Sequence, residues 1–228
     1  MKKIQSCCLA ILAVIITAGL SGCAAPSMYS VNMSYTAANA VVPTYLKPDQ
    51  KALQTIIAVT EFTDLRRVDD TMVIGRVVEK DGMKVLVLPK QNRPTQAAAE
   101  GVRQYLRKAG YNVSGIAAPW DLNEASIPQI PASRILIGGA IEDIEITCRR
   151  AFPTNTYTTK IKLTICVADM TGKRILHKAS VVATTSLEHM MFSEDRMGEQ
   201  AGYALGDAIE KLFEKHEVAQ AVKQALGQ

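Results

Sequence analysis

Three long β-branched runs, separated only by short connections, constrain this chain most. They are Arg134–Cys148, Thr158–Met170 and Lys173–Leu187, with Thr171-Gly172 as the last turn. Strands joined by connections this short cannot cross over a sheet, so they pair as an antiparallel meander. Each run also has one apolar face. Ile144, Ile146 and Cys148 oppose Asp143, Glu145 and Thr147, while Ile161, Leu163, Ile165 and Val167 oppose Lys160, Lys162, Thr164 and Cys166. Neighbouring strands must turn their apolar faces the same way. The meander therefore needs a second layer on one side only. Gly138-Gly139 inside the first run predicts a bulge or a close backbone approach.

The same phases bear on the cysteines. Cys148 falls on the apolar face and Cys166 on the polar one. A disulfide would have to pass through the sheet, against its geometry. Two separate thiols are expected.

The second layer is read from helical spacing. Pro94-Thr95 opens a helix, with Thr95 as N-cap and Ala98, Val102, Tyr105, Leu106 and Ala109 on one face. Gly110 is placed as its left-handed C′ residue. Ser193 caps a later helix whose stripe runs from Met197 to Leu212, and Glu194 and Asp195 suit its positive end. Residues 216–226 extend this helix or form another. Gly198, Gly202 and Gly206 run beside the stripe, each costing roughly 1 kcal/mol of helix propensity. Close approach to the sheet would offset that cost, and a contact with a partner helix is the alternative.

Upstream, Thr55–Thr63 reads as a strand. Val73–Lys80 and Met83–Leu88 flank Asp81-Gly82, a hairpin signal that predicts a type I′ turn. Tyr111–Ser114 reads as a short strand, and Pro119–Pro131 is a loop. The expected fold class is α+β. It is a two-layer sandwich, a mostly antiparallel sheet with a three-strand C-terminal meander and two amphipathic helices on one face.

The N-terminus differs in kind. Lys2 and Lys3 precede an uncharged apolar run from Cys7 to Leu20, the layout of a signal peptide. The run is shorter than the roughly 20 residues a membrane-spanning helix needs. A cleaved signal without a lipid and an uncleaved anchor are the competing readings. Leu20-Ser21-Gly22-Cys23 resembles the lipobox of bacterial lipoproteins. That resemblance implies cleavage before Cys23, a thioether-linked lipid on it and an acylated amine. Ala24, not Asp, at the next position implies the outer membrane, with the protein facing the periplasm.

The expected organisation is a signal peptide over 1–22, a lipidated tether over 23–53 and a single α+β domain over 54–228. The tether would span about 25–30 Å as a flexible chain. Within it Tyr29, Val31, Met33 and Tyr35 alternate with polar residues. That pattern predicts an edge strand, paired with this domain or with a partner's sheet, unless the segment is unstructured.

A search for chemistry returns little. The signal takes Lys2 and Lys3 with it, leaving 24 basic residues (26 less 2) against 22 acidic ones. This near balance argues against nucleic acid as a partner. His177, His189 and His216 lack metal-ligand spacing. No nucleophile elbow or phosphate loop is present. No catalytic, cofactor or metal residues are assigned, and an enzyme is not expected. Trp120, the single tryptophan, reads as a packing plug. Two basic doublets, Arg66-Arg67 and Arg149-Arg150, stand at strand ends. They would clamp an anion or partner if those ends coincide, and are solvated loop charges otherwise.

Four pieces resemble the YajG-type family of bacterial lipoproteins. They are the lipobox at Cys23, Val73-Ile74-Gly75-Arg76-Val77 leading to Gly82-Met83-Lys84, the helix end Leu106-Arg107-Lys108-Ala109-Gly110-Tyr111, and the closing strand–strand–strand–helix. Thr55–Arg66 more weakly resembles curli-secretion-channel and lipopolysaccharide-assembly accessory lipoproteins. The family likeness implies an outer-membrane lipoprotein without catalytic residues. The expected function is a non-enzymatic, lipid-anchored assembly or scaffold protein with a protein partner in the envelope. The alternative is a binding module for a lipid, a glycan or an anionic polymer, held by the Arg doublets and the Trp120 loop. A curli-type secretion subunit is a narrower version of the first.

Overall fold

The computed structural model describes residues 28–50 and 52–227. Cys23 and the signal segment lie outside the described residues. The strands are β1 (Met28–Val31), β2 (Ile56–Glu61), β3 (Thr63–Asp64), β4 (Gly75–Val78), β5 (Lys84–Pro89), β6 (Asn112–Pro119), β7 (Ser133–Arg149), β8 (Asn155–Asp169) and β9 (Arg174–His189). The helices are α1 (Pro94–Ala109), α2 (Glu194–Glu214) and α3 (His216–Leu226). The chain after Glu214 thus forms a helix of its own.

β7 is the spine of one nine-stranded sheet. Along one side it pairs antiparallel with β8, which pairs antiparallel with β9, completing the expected meander. Its other side is shared by three strands in succession. β2 lies along Ser133–Ile137, β3 along Ala140–Ile141 and β4 along Ile146–Arg149, all parallel to it. β6 extends β2 in parallel, and β5 extends β4 as an antiparallel hairpin. The long ladders make the sheet mostly antiparallel, while the shorter parallel joins attach its N-terminal half.

The three helices share one core with one face of the sheet. Tyr105 and Phe213 stack at 5.2 Å where α1 meets α2. Leu106, Leu205, Ile209 and Val222 meet Ile57, Ile137, Ile161 and Leu163, all fully buried. Burying a large aliphatic side chain stabilises by about 1.5–3 kcal/mol. The opposite face carries a smaller cluster at one end, where Trp120 and Ile127 from the 119–131 loop cover Leu136, Cys166 and Ala168. Cys148 lies in the first cluster and Cys166 in the second, so the two thiols are buried on opposite faces and free.

Local chemistry departs from expectation at three points. Pro94 itself takes the first helical position of α1, where its fixed φ is favourable and its missing N–H costs nothing. Gln96 Oε1 accepts from the Arg93 N–H at 3.2 Å, and the Thr95 hydroxyl donates instead to Glu61 at 3.0 Å. In the β4–β5 hairpin only Gly82 is left-handed, at φ 86°. The Glu79 N–H donates to the Met83 carbonyl at 2.8 Å, so the loop holds three residues and not two.

The third departure concerns residues 28–50. The anticipated edge strand over residues 29–35 is shorter than its alternation: it is β1, which ends at Val31 and pairs in parallel with β5 of this domain. The chain after it does not hang free as a tether. Val31, Met33 and Leu46 are buried in the main core. The Tyr111 hydroxyl donates to the Leu46 carbonyl at 2.6 Å, and Lys108 Nζ to the Ala38 carbonyl at 2.9 Å. Residues 32–35 occupy the groove left by Gly198, Gly202 and Gly206 of α2. The close neighbour those glycines require is therefore this N-terminal segment, neither the sheet nor a partner helix.

Candidate functional site

The two basic doublets do not form one patch. Arg66 follows β3, beside Ile141 of β7, whereas Arg150 lies beyond Arg149 at the far end of that strand. At about 3.3 Å per residue, some 20–25 Å separates them. Arg66 is also buried. Its guanidinium binds Asp64 at 2.7 Å and donates to the Val73 carbonyl at 2.9 Å and to that of Thr71. It pins the 65–73 loop and has no face left for a ligand. Arg150 pairs with Glu79 at 2.8 Å and lies 4.8 Å over the Phe192 ring. Arg67 and Arg149 are exposed at separate places.

Trp120 is 3% exposed. Its Nε1 donates to the Asn123 carbonyl at 3.0 Å and to the Ser126 hydroxyl at 3.1 Å, and its ring fills the space over Gly138. It is a plug and offers no platform for a sugar. His177 and His189 are half-buried, and His216 stands edge-on to Tyr45 at 5.1 Å. Among the described residues no group of His, Cys, Asp and Glu side chains is arranged to hold a metal ion. No described helix is long and apolar enough to cross a membrane.

A different feature stands out, at the free side of β6. Among the described residues β6 pairs with β2 alone, so its outer side carries no strand and is an open edge, met near its start only by Arg107 Nη2, which donates to the Val113 carbonyl at 3.5 Å. Such an edge presents unpaired N–H and C=O groups to any incoming strand. The other two edges are guarded. β1 is short and lies against α2. β9 exposes Lys178 and Glu188, and Lys215 of the α2–α3 junction donates to its Ser180 carbonyl at 2.8 Å. β6 reads Asn-Val-Ser-Gly-Ile-Ala-Ala-Pro and carries no charge at all.

Beside this edge, α1 and β6 enclose a cleft of about 630 Å³. Glu61, Gln96, Glu100 and Arg103 line one wall, and Gly115, Ile116 and Ala117 the other. Arg103 binds Glu100 at 2.8 Å and lies over Gly115, where a Cβ would meet the guanidinium at 3.2 Å. Burial alone would raise the Glu100 carboxyl. The hydrogen bonds and charges of Arg103, Gln104 and Arg107 outweigh it and hold that group below the usual carboxylate range. The cleft thus holds an ionised, internally paired carboxylate, and no histidine or cysteine lines it. Its donors and acceptors suit recognition. Sequence reading missed this site because Asn112–Pro119 has neither alternation nor β-branched density. Only its lack of charge marks it.

No family model matches the chain, and no curated protein matches it. Among solved structures it is similar to protein XCC0632 from Xanthomonas campestris, of the family model DUF330. Identity is 12% over 88% of this chain and 99% of that one, with a TM-score of 0.50. It is more loosely similar to the PelC dodecamer from Paraburkholderia phytofirmans, at 13% identity over 72% and 92% and a TM-score of 0.36. Lipoprotein GNA1162 from Neisseria meningitidis matches at 10% identity over 71% and 99%, with a TM-score of 0.39. The first of these shows a shared fold, and at such identities nothing beyond the fold is carried over.

Proposed function

We propose that this chain is a non-enzymatic lipoprotein of the outer membrane, anchored through Cys23, that binds a protein partner in the envelope through the open edge of β6. The observation that carries this reading is the uncharged β6 edge beside the α1 cleft. A partner strand laid along β6 would gain main-chain hydrogen bonds, and the cleft would select its side chains. The lipobox at Cys23 and the YajG-type motifs support the address. The rival reading, a module for an envelope lipid, glycan or anionic polymer, loses its joint clamp and keeps only Arg67 and Arg149, exposed at separate places. Arg66 and Arg150 are committed to Asp64 and Glu79, and Trp120 is buried.

Photo-crosslinking in intact cells tests the proposal. A photoreactive residue at Ala117, on the exposed part of β6, should yield a discrete cross-linked species. The same residue at Thr184, exposed on β9, should not. Equal labelling at both positions, or none at Ala117, would overturn the β6 assignment. Unchanged membrane fractionation of Cys23→Ser would overturn the anchor.

A further inference from the structure

We infer that one rim of the sheet, built from Met28, Met83, Phe152, Met190 and Met191, rests in the surface of the lipid bilayer that holds the chain. The inference depends on the anchor at Cys23 proposed above. Strand register brings these residues together. Met28 is level with Leu86, Leu86 with Arg76, Arg76 with Thr147, Thr147 with Thr158 and Thr158 with Ser186. The β4–β5, β7–β8 and β9–α2 connections therefore all emerge at the same end, beside the start of β1. Each presents a large apolar side chain to solvent. Phe152 is 90% exposed, Met190 75%, Met191 73%, Met28 54% and Met83 44%.

The opposite rim has no comparable cluster, although Leu53 just ahead of β2 is 50% exposed there. The β8–β9 turn there shows Thr171, Gly172 and Lys173, and the 119–131 loop exposes no large hydrophobic residue. Clustered exposed apolar residues at one end mark a contact surface.

The rim is held as a unit. Arg150 ties the β7–β8 connection to Glu79 of the hairpin at 2.8 Å and lies over Phe192. The Tyr29 hydroxyl donates to the same Glu79 at 2.7 Å, and its ring meets Phe192 at 5.0 Å. Asn155 Nδ2 donates to the His189 and Met190 carbonyls at 3.1 and 3.0 Å. The apolar tips thus project from a cross-braced frame.

Chain length selects the occupant. Met28 opens β1 on this rim, five positions after Cys23. Fully extended, those five steps reach no more than about 18 Å. A lipid on Cys23 therefore brings this end of the sheet to the bilayer. The exposed charges here, Lys80, Lys84 and Arg149 against Asp81 and Glu188, nearly balance. Apolar contact, more than headgroup charge, carries the interaction, and added salt should weaken it little.

The test uses the full chain with Phe152→Trp, reconstituted in phosphatidylethanolamine–phosphatidylglycerol vesicles with or without brominated acyl chains. Buried Trp120 in the unsubstituted chain supplies the baseline. Indole emission should shift to the blue in vesicles and be quenched by the brominated lipid. Met191→Trp should behave alike. Membrane-bound protein with water-exposed, unquenched emission would overturn the rim contact and leave the anchor standing. Blue-shifted but unquenched emission would mean that a second copy or another protein covers the rim, which also overturns it. Failure of the Cys23-containing chain to fractionate with membranes would remove the anchor, and the rim contact with it.

Discussion

Gly198 of α2 faces the backbone of Asn32 so closely that a Cβ on it would stand 2.7 Å from the Asn32 carbonyl oxygen. One turn later a Cβ on Gly202 would overlap the Ser34 carbonyl oxygen, and one on Gly206 would stand 2.6 Å from the Tyr35 ring. The hydroxyl of that tyrosine donates to Glu210 at 3.0 Å. A glycine stripe is thus the bed for the segment that leads from the N-terminus into the domain.

Gly198→Ala and Gly202→Ala should each destabilise the fold by about 1–3 kcal/mol, the usual range for overpacking. The substitution recovers roughly 1 kcal/mol of helix propensity, so an empty groove would give the opposite sign. Urea denaturation decides between the two. A variant more stable than the parent would show that residues 32–35 do not lie on α2. Proteolysis should then cut in that segment first.

Arg66 and Arg67 are adjacent in sequence and should differ sharply in effect. Arg66 is buried with its charge paired to Asp64, so Arg66→Ala leaves that carboxylate without its partner and frees the 65–73 loop. A loss of about 3–5 kcal/mol is expected, as for other broken buried pairs. Arg67→Ala on the exposed side should stay within about 0.5 kcal/mol. Similar losses in both, read by thermal or urea unfolding, would contradict the placement.

Trp120 and Gly138 make a matched pair. A Cβ at Gly138 would stand 2.6 Å from the indole Cε3, so Gly138→Ala should push the ring out of its seat. The parent should emit as a buried indole, shielded from acrylamide, and Gly138→Ala should be red-shifted and quenched. Emission of a water-exposed indole in the parent would return Trp120 to the list of ligand platforms.

Much of this was legible because it is periodic. The phases of Ile146, Cys148, Leu163 and Cys166 place the sheet's two faces before any coordinates. Gly110 and Ser193 mark helix ends because their roles depend only on neighbours in sequence. Non-local facts were not legible. Glycines at 198, 202 and 206 announce a close neighbour, but nothing in them names residues 32–35. Alternation over residues 29–35 announces a strand, but not its parallel pairing with β5. Arg66 looked free because its partners, Asp64 and the carbonyls of Thr71 and Val73, converge only when the loop closes. The β6 edge was overlooked for a related reason. An open edge is a property of the whole sheet order, and no local pattern encodes it.

The two internal thiols give a test that depends on pH. Burial raises both, Cys148 and Cys166, to about 11 from an ordinary 9.0. Nearby cations, Arg150 and Lys178, offset this only in part. At pH 8 both are protonated and shielded, so an aromatic disulfide reagent should label neither in the folded protein and both in urea. A Cys148–Cys166 disulfide would instead leave both unlabelled in urea until a reductant is added. The same shift links to stability. The folded state holds these protons more tightly than the unfolded chain does. The stabilisation is therefore complete below about pH 9 and is lost as pH rises through 11. Burial raises Tyr111 as well, to about 12, with the same sign. The informative quantity is therefore a difference between variants. The double Cys148→Ala, Cys166→Ala variant should lose stability less steeply between pH 9 and 11 than the parent, though it starts from a lower value. Parallel slopes would show that neither thiol is held up by burial.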